Sequence, residues 1–144
     1  MPSSRLLAFG AVLATVTSAC SGGSEPTPPI EGPGYVDLQV QVPPGRTDGG
    51  VLIRLSGAEV RGVLSSGLDV RSVGIPGTTS HLLVRGTLRE TLTVASVCVP
   101  DVSLLSGYQR QVVRAAGGAD EGYVVRGDIS EYQVEFTNRR KASC

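Results

Sequence analysis

"YVDLQVQV", residues 35–42, decides the fold of this chain. Val36, Leu38, Val40 and Val42 alternate with Asp37, Gln39 and Gln41, the period of a strand with one buried and one wet face. Pro43-Pro44 then stops it, because proline has no N–H to give a ladder. The turn residues "GRTDGG" (45–50) follow, and "VLIRLS" (51–56) resumes the alternation with Val51, Ile53 and Leu55 inward and Arg54 outward. Near the end of the chain "EYQVEF" (131–136) alternates again, with Tyr132, Val134 and Phe136 inward and Gln133 and Glu135 outward.

Working outward from these segments, further strands are expected at 59–63, 68–73, 81–85, 91–99, 108–114 and 122–126. No window of a dozen or so residues carries a helical stripe, and "VSLLSGY" (102–108) is worth one helical turn at most. The 19 Gly and 9 Pro punctuate the strands with turns. Short strands about ten residues apart predict an all-β chain, an antiparallel β-sandwich of about 7–9 strands over residues 35–138. Its core is Val and Leu, with Phe136 its single Phe, and is light in aromatic area.

The segment "SGAEVRGV" (56–63) recurs as "SGLDVRSV" (66–73). Solenoid repeats are longer and more numerous, so the echo predicts two successive strand-and-turn units. It puts Arg61 and Arg71 at equivalent positions on a solvated face. The run from 38 to 60, "LQVQVPPGRTDGGVLIRLSGAEV", resembles the opening strands of cohesin-like and other immunoglobulin-like modules. That resemblance implies a fold and no function.

Ahead of the domain, "MPSSRLLAFGAVLATVTSA" (1–19) has one positive charge at Arg5, an apolar stretch from Leu6 to Val16, and then small residues. This is the layout of a secretory signal peptide. This stretch of eleven residues makes about 16 Å of helix, too short for a ~30 Å hydrocarbon core. The segment closes on Thr17-Ser18-Ala19-Cys20, which resembles the lipobox of bacterial lipoproteins. Ser18 and Ala19 suit that pattern; Thr17 stands where the family has an aliphatic residue. The resemblance implies cleavage before Cys20, a diacylglyceryl thioether on its sulfur and an acyl (palmitate-type) chain on its amino group. Ser21 in place of Asp implies, by analogy with the enterobacterial sorting rule, the outer membrane. An ordinary signal peptidase cutting after Thr-Ser-Ala is the rival route, and it gives a secreted protein. Residues 20–34, Gly/Ser/Pro-rich, read as a tether, reaching at most roughly 40 Å if extended.

Acylation of Cys20 leaves Cys98 and Cys144, an even pair in an oxidising compartment. Two states are open for them. A disulfide closes a loop worth roughly 4 kcal/mol on the chain-entropy view; otherwise Cys98 is a buried free thiol and Cys144 ends a disordered tail. The last residues, 139–144, read as a solvated basic tail carrying Arg139, Arg140 and Lys141, able to touch anionic headgroups.

Formal charge balances at 13 basic and 13 acidic residues, which argues against a nucleic-acid partner. Catalytic chemistry is sparse. His81 is the single histidine, and Ser80 beside it points to the opposite face of a strand, so the two do not pair. No nucleophile elbow and no phosphate loop occur. Too few Cys and His remain for zinc, and Asp48, Asp120 and Glu121 follow no calcium-loop pattern and read as turn acids. "RGD" at 126–128 reads as a strand-to-turn junction. No metal or cofactor is implied. The expected protein is a non-catalytic envelope lipoprotein, a membrane-tethered binding or structural module with an envelope protein or polysaccharide as partner. A small hydrolase using His81 and a carbohydrate-binding module using Tyr35, Tyr108, Tyr123 or Tyr132 are the alternatives.

Overall fold

The computed structural model describes residues 26–144. Eight strands follow in order: β1 (Gly34–Gln41), β2 (Asp48–Val60), β3 (Gly62–Ser65), β4 (Asp69–Val73), β5 (Gly77–Leu88), β6 (Thr91–Val99), β7 (Gln109–Gly117) and β8 (Gln133–Lys141). They form two antiparallel four-stranded sheets, ordered β3-β6-β1-β8 and β4-β5-β2-β7. The chain is the expected antiparallel β-sandwich.

The alternating residues build its core. Val36, Leu38 and Val40 from β1 meet Val51, Ile53 and Leu55 from β2, all fully buried, with Leu82, Val84, Val94 and Val97 between them. Tyr108, Tyr132 and Phe136 supplement the aliphatics. Tyr108 packs edge-on against Phe136, with centroids 5.5 Å apart, and its hydroxyl donates to the Glu59 carbonyl.

Of the connections between successive strands, only β4–β5 stays within one sheet; the others cross the sandwich. Strands β4-β5-β2 and the pair β3-β6 follow the immunoglobulin order, in which strands four, five and two adjoin and three lies beside six. The flanks differ: β7 lies beside β2 where an immunoglobulin domain has its first strand, and β1 lies beside β6 where it has its seventh.

Several expected strands are longer than read, 81–85 growing to Gly77–Leu88 and 108–114 shifting to Gln109–Gly117, and three changes bear on the site. Residues 59–63 are not one strand. β2 runs on to Val60, and the chain changes sheet at Arg61, whose N–H donates to the Cys98 carbonyl at 2.9 Å. Arg61 and Arg71 therefore sit in different places, one at this crossover and the other on β4. Each still pairs with the acid two residues before it, Glu59 and Asp69, so the echo survives as a local ion pair. Residues 122–126 form no strand, only a bridge between Ala116 and Val125. Gly122 and Tyr123 are both left-handed, at φ 66° and 55°, and extended backbone cannot begin before they end. Finally, β8 continues past 138 to Lys141, because β1 offers paired partners all the way to Gly34. Arg139, Arg140 and Lys141 are thus strand residues, and the tail after them is residues 142–144.

Candidate functional site

The candidate residues of the sequence fall in several places. Cys20 lies outside the described residues. Cys98 and Cys144 are joined in a disulfide, with Cα atoms 6.1 Å apart. Cys98 lies on β6, across from Tyr35 of β1, so the bridge fastens the chain end to the sheet beside the start of β1. Ser80 and His81 point to opposite faces of β5. Ser80 is fully buried and its hydroxyl donates to the Gly74 carbonyl at 3.1 Å, while His81 faces outward across from Arg54. Among the described residues no three His, Cys, Asp or Glu side chains gather as a metal site requires. Of the four tyrosines, Tyr108 and Tyr132 are buried in the core, Tyr35 is partly covered and Tyr123 is 60% exposed.

Tyr123 leads to a groove of about 1010 Å³ on the outer face of β4-β5-β2-β7. Strand alternation makes its floor. Leu52 of β2 and Leu83 of β5 are cross-strand partners, and Arg114 of β7 pairs with Leu52 on the other side. One step along, Gly50 lies between Arg85 and Ala116. The wall is the connection from β7 to β8, residues 118–132, which brings Tyr123 over Gly49 and sets Val125 beside Ala116 at the edge of β7. Tyr123, Val125 and Leu83 expose 60%, 59% and 40% of their surfaces, which leaves apolar surface open on this face.

An isolated connection of this length is rarely ordered without its own anchors. Here the anchor is Asp48, fully buried at the first position of β2. Arg126 donates from Nε to Asp48 Oδ1 at 2.9 Å and from Nη2 to Glu121 Oε1 at 3.0 Å, and the Tyr132 hydroxyl donates to Asp48 Oδ2. Glu121 first, then Asp48, hold the Arg126 guanidinium charge by raising its pKa, and Arg126 in turn lowers that of Glu121. Burial, together with the Asp48 carboxylate, pushes the Tyr132 hydroxyl up to about 12. Backbone bonds complete the wall: Gly117 N–H to Val124 O at 2.9 Å and Arg126 N–H to Ala115 O at 2.8 Å. Gly49 makes room for the aromatic ring, since a Cβ there would lie 2.8 Å from Tyr123 Cδ1.

These contacts revise two expectations. Asp48 is a buried anchor, where a turn acid was expected. Arg126 of the "RGD" run is committed to Asp48 and Glu121, while Asp128 accepts from the Ser130 N–H at 2.9 Å, so the tripeptide is spent on holding the wall. Asp48 and Arg126 are 78 residues apart, and no periodicity links them. The sole local signal was an acid at a strand start, ahead of two glycines.

On the outer face of the other sheet Leu64 is exposed and the polar groups around Asp37 pair with one another. Asp37 accepts from Ser96 Oγ at 2.6 Å, Arg140 Nη1 at 2.8 Å and Asn138 Nδ2 at 3.2 Å. Burial raises the Asp37 pKa, but these donors outweigh it and the net direction is down.

The fold and groove define an all-β sandwich with a walled groove on one face. Comparison of the chain with protein-family models, curated proteins and solved structures finds no match in any of the three.

Proposed function

We propose that this chain is a non-catalytic binding module of the bacterial cell envelope, tethered by acyl chains on Cys20 and holding its ligand in the groove under Tyr123. The observation that carries the reading is the wall at residues 118–132. A buried ion pair, a buried tyrosine and a left-handed aromatic residue are all used to hold exposed apolar side chains over a sheet face. Such an arrangement opposes burial of those side chains within the chain itself, and ligand contact is the use that fits it. The groove flanks Asp48, whereas the tether enters at Gly34, the other end of the sandwich. At ~3.3 Å per residue, β1 separates the two ends by about 26 Å. Anchor and groove therefore do not compete for space. The outer membrane is the location that Ser21 favours.

Fractionation of cells expressing the wild-type chain and Cys20→Ser tests the tether. The wild type is expected in the membrane fraction and the variant in the soluble envelope fraction or retained unprocessed. Equal partitioning of the two into soluble fractions removes the anchor from the proposal. The hydrolase alternative runs through His81. It gains only if turnover of an envelope substrate by the purified protein disappears in His81→Ala. The carbohydrate alternative rests, within the groove, on Tyr123 alone.

A further inference from the structure

The groove floor carries a pattern that specifies more than a generic apolar ligand. Leu83, Leu52 and Arg114 of the floor lie in one register row across β5, β2 and β7, and Arg71 of β4, outside the groove lining beside Asp69 and Arg85, extends it. Strands are about 4.8 Å apart, so the row spans about 14 Å between its two arginine Cα positions. Both of its ends are cationic. At one end Asp69 is shared between Arg71 and Arg85, which leaves one net positive charge. At the other end Arg114 lines the groove and forms no ion pair among the described residues. Arg54, on the same face one step along β2, adds a further positive charge. Opposing them, the groove-lining acids are Asp69, already paired, Asp48, buried against Arg126, and Asp120 in the wall.

We infer that this row receives an extended peptide segment with two carboxylate side chains four residues apart and an apolar side chain midway between them. Four steps of extended chain cover about 13.5 Å, and residues one, three and five face the same way. The first and fifth side chains then reach the two cationic ends while the third meets Leu83 and Leu52, with Tyr123 and Val125 of the wall alongside. An acyl chain carries charge at one end only and matches half of the row. A glycan needs stacking platforms, and aliphatic side chains make up the floor. The assignment rests on the binding-module reading and names the ligand class of that site.

Fluorescence anisotropy tests it, with the full chain purified from membranes and the fluorescein-labelled peptide Gly-Glu-Thr-Val-Thr-Glu-Gly as probe. Saturable binding is expected, weakened by salt. A peptide with Lys in place of both Glu should bind about tenfold more weakly or worse, and so should the acidic peptide to Arg114→Gln. Arg139→Gln, on the other sheet, should bind the acidic peptide as the wild type does. Equal binding of the acidic and basic peptides, or full affinity in Arg114→Gln, overturns the assignment. So does Arg114-dependent binding of an oligogalacturonate by a protein that ignores the peptide. A membrane-borne, acylated protein that ignores the peptide loses this assignment and keeps its tether. A lipid-free protein that binds the peptide loses the tether and keeps this assignment.

Discussion

At the scale of single residues, Asp48 decides whether the groove has a wall. Its carboxylate is fully buried and gathers Arg126 and Tyr132 from a connection 78 to 84 residues away in sequence. Removing one partner of a buried ion pair costs more than the pair itself contributes, because the remaining groups lose their compensation. Asp48→Ala is therefore expected to lower stability by roughly 3 kcal/mol in a denaturant titration. The same variant should free residues 118–132 for proteolysis under conditions where the sandwich stays intact. Wild-type resistance of that connection in Asp48→Ala would contradict its role as anchor. The tyrosines give a second readout. Burial, reinforced by Glu59, pushes Tyr108 up to about 12, and burial with Asp48 does the same for Tyr132. Both hydroxyls stay protonated in the folded state above the ordinary tyrosine range, so their stabilisation is complete below about pH 10 and is lost as pH rises through 12. Tyrosinate absorbance should accordingly show two of the four side chains ionising only near pH 12 or with unfolding.

At the scale of elements, β8 ties the end of the domain to its beginning. Its last residues pair with β1 from Val36 back to Gly34, and the Cys98–Cys144 bridge closes just beyond. Gly34 is required there by contact: a Cβ would sit 2.0 Å from the Arg140 carbonyl oxygen. Gly34→Ala should cost about 1–3 kcal/mol by forcing the two strands apart. The bridge encloses 46 residues of sequence separation, and Cys144→Ser should lower unfolding stability by about 4 kcal/mol at most. An unchanged denaturation midpoint in that variant would mean that strand pairing alone holds β8. Strands with clean alternation, such as β1 and β2, were legible because a period of two separates a buried face from a wet one. The far end of β8 was not. "TNRRK" carries no apolar alternation, and its strand is set by partners supplied by β1, with Arg140 drawn onto Asp37. Residues 122–126 failed in the opposite sense. "GYVVR" has strand composition, yet two left-handed residues and the pull of Asp48 on Arg126 turn it into the groove wall. Both failures come from long-range contacts that override local pattern.

At the scale of the whole molecule, the sandwich class followed from turn spacing and alternation, whereas the groove did not, because it is made by residues from β2, β4, β5, β7 and a distant connection. Electrostatics of the assembled body set its pH range. Asp37, Asp69, Asp101, Glu121 and Asp128 all have pKa values below the ordinary carboxylate range in the folded chain, held down respectively by Ser96 with Asn138 and Arg140 against burial, by Arg85, by Ser103, by Arg126 and by Ser130. Their stabilisation is complete above the unfolded values near pH 4 and is lost as pH falls through the lower folded values. The melting temperature should stay level from neutral pH down to about pH 5 and fall steeply below about pH 4. The most direct test of a tethered binding module is the intact mass of the protein extracted from bacterial membranes. The predicted species begins at Cys20, carries a diacylglyceryl group and an amide-linked acyl chain, and shifts by two hydrogens on reduction as Cys98 and Cys144 part. A mature chain with a bare thiol at Cys20, or one that begins elsewhere without lipid, would contradict it.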